Sequence, residues 1–235
     1  MAFLLTNRLG FDIIVPEINR NLQGYGDNDM KKLIEKYGTV NCIIAIICSI
    51  TLVINSVAVE KSSLYEISDN LTIAYILNFL AGCQGILGKW GSMSFENAIL
   101  NRQVWRCFTH IYLHAGLIHL VMNMLALMIA GKYVEKKYGS VWYLLFFHAA
   151  AIIDSIITAL IFPGESVGAS AGIFAVIGIL IILMFKKKLS IKKTEIIYLI
   201  AFFVLSLVLG VESLIIHLFA LVIGLMVGLL MTKTS

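Results

Sequence analysis

Charge is what this sequence is shortest of. Asp, Glu, Lys and Arg make up 14% of its 235 residues, while apolar residues make up 60%. Soluble domains carry about a quarter charged residues, so a water-soluble globule is excluded. Proline is nearly absent, at two residues, and there is no internal repeat, low-complexity run or linker. Four cysteines do not make a disulfide framework. Cys42 and Cys48 fall in one apolar run, and Cys83 and Cys107 share a loop in which pairing requires an extracytoplasmic face. No C-x-x-C motif points to zinc or thiol redox chemistry. His110 and His114 are four apart but have no third ligand, so no metal and no cofactor is expected. The net charge of +4 is spread among loops, which argues against a nucleic-acid partner. The first forty residues hold no long apolar core followed by a small-residue cleavage site. The expectation is a retained first anchor rather than a removable signal.

What the chain has instead is long apolar runs. A membrane span takes about 20 mostly apolar residues, and six stretches qualify: Val40–Val59, Leu113–Ala130, Val141–Phe162, Ser170–Phe185, Thr194–Gly210 and Ser213–Met231. The predicted fold is an all-α polytopic membrane protein, with a short tail over 1–39 and a six-helix membrane domain over 40–232. Lysines decide its orientation. The tail carries Arg8, Arg20, Lys31, Lys32 and Lys36, "GKYVEKKYGS" carries three lysines and "KKKLSIKK" five, whereas "PGESVGA" and "GVE" carry none. Positive residues stay inside, so both termini are expected to be cytoplasmic. The loop over 60–112, the Pro163 loop and the Glu212 loop then face outward. In the first of these, Trp105 and Arg106 suit the headgroup level and read as loop anchors.

Polar groups inside lipid are costly and each calls for a reason. In "HIYLHAGLIHLVMNM", His119 and Asn123 are four apart and share a helix face, with His114 at the boundary. The run "PGESVGASAGIF" places Ser170 between Gly168 and Gly172 where a span begins, and His217 opens the last span. Sixteen residues make about 24 Å of helix, less than the roughly 30 Å of hydrocarbon, so Ser170 is expected below the outer surface. A span starting at Leu113 puts His119 and Asn123 about 9 and 15 Å down, and His217 lies about 6 Å past Ser213. The four residues thus converge on one layer. Small residues spaced by four at Gly168 and Gly172, and at Ala220, Gly224 and Gly228, suggest two facing stripes that draw backbones together. That meeting would bring His217 beside Ser170, and glycine next to the hydroxyl leaves room for a substrate backbone. A serine with a histidine base in reach suffices for acyl transfer. His119, the Asn123 amide and the Ser170 backbone N–H are candidate donors to an oxyanion. Asp154 reads as deeper than His217 and on a different face of the bundle, so the expected unit is a dyad.

Four motifs in order carry a resemblance. "VWRCFTHIYLHAGLIHLVMNM", "GKYVEKKYGS", "GASAGIF" and "IHLFALVIG" resemble the signature segments of the rhomboid intramembrane serine proteases. The resemblance implies Ser170 as nucleophile, His217 as base and His119 and Asn123 at the oxyanion. It also implies a water-filled cavity capped by the Glu212 loop, a lateral substrate gate including Phe202 and Phe203, and the Phe174 ring beside the histidine. Substrates would be single-pass transmembrane proteins in the lipid bilayer, cut near the outer face, and the expected location is a bacterial plasma membrane. Three positions depart from the family pattern, Ala171, Ile216 and Ala220, and each adds bulk near the contact of the fourth and sixth spans. Two rivals remain: a catalytically inactive rhomboid-like protein that binds transmembrane clients, and a small-solute transporter. The first would lack the serine or histidine present here. The second would show two related halves, which this chain does not.

Overall fold

The computed structural model describes residues 29–59, 61–82, 85–208 and 211–233, with the side chains of 61–62, 207–208 and 211–212 left aside. The chain divides into Met1–Lys36 and Tyr37–Ser235. The described part of the first unit is helical from residue 29 and carries an exposed Lys32–Asp29 ion pair. Everything below concerns the second.

Six long helices build that unit: α1 (Thr39–Val57), α2 (Leu117–Tyr138), α3 (Ser140–Ile161), α4 (Ser170–Phe185), α5 (Lys193–Val208) and α6 (Val211–Lys233). Among the described residues the extended structure is a single antiparallel bridge, Met93 with Ser166. The architecture is a helical membrane bundle. Among the described residues five stretches are long and apolar enough to cross a membrane: α1, α2, α3, Ser213–Lys233 and Leu71–Gly91. Two expected spans, α4 and α5, have only sixteen residues each.

Leu71–Gly91 was expected to be loop. It contains a helix, Leu71–Leu77, a π-helical turn, Asn78–Gly82, and a second short helix, Ile86–Gly91. That last helix is tied back to the end of α1, where Ile86 N–H donates to the Ala58 carbonyl (2.8 Å) and Gly88 N–H to Asn55 Oδ1 (3.0 Å). Farther along the connection, the Arg106 guanidinium donates to the carbonyls of Ser92 and Lys89 (both 2.9 Å) and to Gln103 Oε1. Trp105 Nε1 reaches the Trp90 carbonyl. Trp105 and Arg106 therefore hold the connection together, as expected. Cys107 is a free thiol near Met93, and Cys83 lies outside the described residues.

α4 is the axis of the bundle. Every residue from Ala171 to Leu180 is buried, and α2, α3 and α6 all pack on it. A helix enclosed by protein need not be long enough to span by itself. α2 ends and α3 begins at one residue, Gly139, whose φ of +87° reverses the chain without the strain an L side chain would meet. At this lysine-rich end the buried Glu135 carboxylate accepts from Val40 N–H (3.0 Å) and Ser140 Oγ (2.7 Å). A carboxylate at the start of α1 satisfies free N–H groups and complements the helix dipole. Glu195, in the first turn of α5, is bonded by Lys132 Nζ and Tyr133 OH, and Tyr198 OH donates to the Met122 carbonyl (3.1 Å). These bonds pin that end of α5 to α2.

The glycine stripes do not meet as the spacing suggested. Gly224 of α6 lies on the Ala175 carbonyl, Gly178 of α4 on the Leu221 carbonyl, and Gly228 on Ile179 and Ile182. Close approach of α4 and α6 thus centres on Gly178 and Gly224, one to two turns below the serine. Gly168 instead faces His119 and Asn123 of α2, and Gly172 faces the Phe147 ring of α3. Spacing marks which residues lie in one row, but not which neighbour the row meets.

Candidate active site

α4 opens at Ser170 with no side chain capping it. The first N–H groups of a helix have no partner within it, so the Ser170 hydroxyl sits beside unclaimed donors. The turn before it is held from two sides. Ser166 and Met93 exchange backbone hydrogen bonds (2.8 and 3.0 Å), and Gly168 N–H donates to the His110 carbonyl (2.9 Å). Gly168 has φ +127°. A Cβ there would stand 2.9 Å from His119 Cε1, 3.1 Å from Nε2 and 3.6 Å from Asn123 Nδ2. Glycine is needed for the conformation and for the space, and its absent side chain lets α2 present both polar groups next to the serine.

A cavity of about 650 Å³ lies at this point, bordered by Ser170, His217, His119, Asn123, Gly168 and Phe202 among others. All four residues read from the sequence as chemically active therefore border one space. Asn123 is 1% exposed, and neither its amide nitrogen nor its oxygen has a hydrogen-bond partner. Leaving such a group unpaired costs about 1–3 kcal/mol, so a buried amide without a partner calls for an explanation. His119 Nδ1 accepts from Ala115 N–H (3.3 Å). That leaves the proton on Nε2, the atom beside Gly168. His217 is 6% exposed and its ring lies on Phe174, with centroids 4.3 Å apart and planes 25° apart. Phe174 in turn stacks on Phe202 (5.2 Å) and meets Phe203 edge-on (6.0 Å).

Some placements differ from expectation. α2 begins at Leu117, not Leu113, because residues 113–116 are not helical. His119 and Asn123 are therefore two and six residues into the helix, about 3 and 9 Å along it, shallower than the sequence suggested. Phe174, fully buried, and Phe203 are not among the residues lining the cavity; they back Phe202 and the histidine. His114 borders a neighbouring cavity of about 880 Å³ and touches the first only through its ring contact with His119 (5.1 Å). The Glu212 side chain and residues 209–210, expected to cap the site, lie outside the described residues.

Sequence reasoning missed the inner wall of the cavity. His110, Ser155 and Thr158 border it, with Ser155 Oγ 2.7 Å from His110 Nε2 and His110 Nδ1 2.8 Å from the Arg106 carbonyl. Burial pushes the His110 imidazole down to about 4. Nδ1–H donates to the Arg106 carbonyl, and Ser155 Oγ also donates to the Ala151 carbonyl (2.7 Å). Residues 45 apart leave no local signal of such a pairing.

The Asp154 expectation is corrected. Asp154 is fully buried on α3, which packs against α6, and its carboxyl lies near Ala220, three residues past His217. Asp154 is deeper than His217 along α6, as expected, but it is not on a separate face, because α3 and α6 both pack on α4 and on each other.

The Rhomboid domain family model matches residues 101–234, over half of the chain. The chain is 42% identical over 87 residues to "Rhomboid protease GluP" of Bacillus subtilis, covering 37% of this chain and 17% of that protein. It is 34% identical over 101 residues to "RHOMBOID-like protein 6, mitochondrial" of Arabidopsis thaliana, covering 43% and 33%. It is also 29% identical over 93 residues to "Inactive RHOMBOID-like protein 8" of the same plant, covering 39% and 26%. The match spans a third or less of each of these relatives.

Proposed function

Since this chain belongs to the rhomboid family, we propose that it is an intramembrane serine endopeptidase that cuts single-pass transmembrane proteins through a Ser170–His217 dyad. One observation carries the reading: the serine that opens α4 borders the same cavity as His217, His119 and the unpaired Asn123 amide. His217 takes the proton as Ser170 Oγ attacks the scissile carbonyl, then returns it to the leaving amine. The developing oxyanion is met by the Asn123 amide, His119 Nε2 and N–H groups at the start of α4. Phe174 holds the base flat, and Phe202 forms the apolar wall towards α5. The oriented frame is six spans with both termini on the lysine-rich, cytoplasmic side, in a bacterial plasma membrane. The inactive relative keeps the client-binding alternative in view; the presence of both serine and histidine around one cavity favours catalysis.

Asn123→Ala is expected to slow turnover by about 10- to 1,000-fold while the protein stays folded, because other oxyanion donors remain. Normal turnover in a folded variant would reassign Asn123 to helix packing.

The test of the whole reading is co-expression with a panel of tagged single-pass proteins, comparing wild type with Ser170→Ala and mapping new termini by mass spectrometry. Cuts are expected near the outer end of the substrate span. Helix-breaking or small residues there should speed cleavage by lowering the cost of unwinding. Cuts at the cytoplasmic end would overturn the orientation.

A further inference from the structure

The bundle buries two polar groups that lack partners and stand on facing helices. Asp154 of α3 is fully buried, and neither of its carboxyl oxygens makes a hydrogen bond. His217 of α6 is 6% exposed, and its Nδ1 is likewise unpaired. The Asp154 carboxyl lies at Ala220, which is one helical turn beyond His217 and on the same face of α6. Each orphan taken alone is destabilising, and more so if charged. Buried groups of this kind are rare enough to call for an explanation. A carboxylate accepts only, and an imidazole Nδ1–H donates, so the two orphans are complementary.

The geometry points to Asp154 as a positioning residue for His217, holding the Nδ1–H tautomer and offsetting the charge of the imidazolium. This rests on the peptidase reading above. In the acylation step the Ser170 Oγ–carbon bond forms and the Oγ proton passes to His217 Nε2. The imidazolium that forms is then met on its Nδ1 side by the Asp154 carboxyl. The proton leaves Nε2 for the amine as the peptide C–N bond breaks. Asp154 exchanges no proton and touches no substrate. The Phe174 face stacks on the ring but does not choose which ring nitrogen carries the proton, and an acceptor on the Nδ1 side makes that choice.

Few other groups compete for this role. Of the titratable groups bordering the cavity, His119 comes from α2 and is a base, so it cannot serve as an anionic partner. Glu165 is engaged by Ser92 Oγ (2.9 Å) and Asn97 Nδ2 (3.3 Å). His110 is held by the Arg106 carbonyl and Ser155. α4 offers the Ser170 hydroxyl and the Phe174 ring, and α5 offers Phe202 and Phe203, none of them acidic.

The experiment measures labelling of Ser170 by a fluorophosphonate probe in the purified full chain across about pH 5 to 9, a range that brackets the ordinary histidine value. In labelling, the Oγ–phosphorus bond forms and fluoride leaves, so the rate reports the base directly. Asp154→Asn is expected to lower the plateau rate about ten- to a hundredfold. It should also move the acid limb to lower pH, because a neutral amide no longer favours the imidazolium. Asp154→Glu, which keeps the charge, should leave the limb in place. Should Asp154→Asn fail to fold, Asp154→Leu supplies the same comparison, with a shifted limb supporting the assignment and an unmoved one overturning it. A folded Asp154→Asn with an unmoved limb, whatever its plateau, makes Asp154 a packing residue. A wild-type chain that never labels overturns the peptidase reading itself, and this assignment with it.

Discussion

Ser170→Ala and His217→Ala are each expected to lower peptide-bond cleavage by several orders of magnitude, with the double variant scarcely worse than either alone. Groups that act as a unit do not contribute additively. Without the base, the hydroxyl is a weak nucleophile at neutral pH; without the hydroxyl, the base has nothing to activate. Both variants should fold, since among the described residues the half-buried Ser170 hydroxyl has no hydrogen-bond partner that its loss would strand. His217 contributes mainly its contact with Phe174. The measurement is the rate of appearance of cleaved substrate at fixed enzyme, with thermal unfolding as the control. Retention of more than about a tenth of the rate by either single variant would remove the dyad from the proposal, because loss of a triad-type member costs far more than that.

The second large effect is structural. Gly224→Ala should lower the unfolding temperature by several degrees and depress Ser170 labelling, and Gly224→Leu should do both more severely. The added Cβ overlaps the Ala175 carbonyl, which is backbone and cannot rotate away. The only relief is separation of α4 from α6. Overpacking a tight contact costs about 1–3 kcal/mol, and here the separated helices are also the ones that carry Ser170 and His217. Met226→Ala, on an exposed part of the same helix, serves as the control and should change stability by no more than about 0.5 kcal/mol. A Gly224→Leu protein with wild-type stability and labelling would mean that α4 and α6 are not in close contact.

Legibility differed from element to element. α4 begins at Ser170 and ends at Phe185, as the apolar run predicts, because a helix enclosed by protein is apolar along its whole length and its ends show as polar or charged residues. α2 was placed four residues early: Leu113 is apolar and buried like the helix that follows, and hydropathy alone cannot distinguish it. Leu71–Gly91 read as loop because its glycines interrupt it, yet its helices present Ile73, Ile76, Ile86 and Trp90 to the exterior.

The sequence by itself determined the class, a helical membrane bundle, and the family. Those properties follow from composition, from the cost of polar groups in lipid and from motifs that each lie within one helix. Only the tertiary structure decided which neighbour each small residue meets, that Gly168 faces α2 rather than α6, that Phe174 and Phe203 stand behind Phe202, and that Asp154 stands beside the turn of α6 after His217. These are contacts between helices far apart in the chain. A helix row read from its own spacing shows which residues share a face, but the partner opposite that face is set by how all the helices pack around α4.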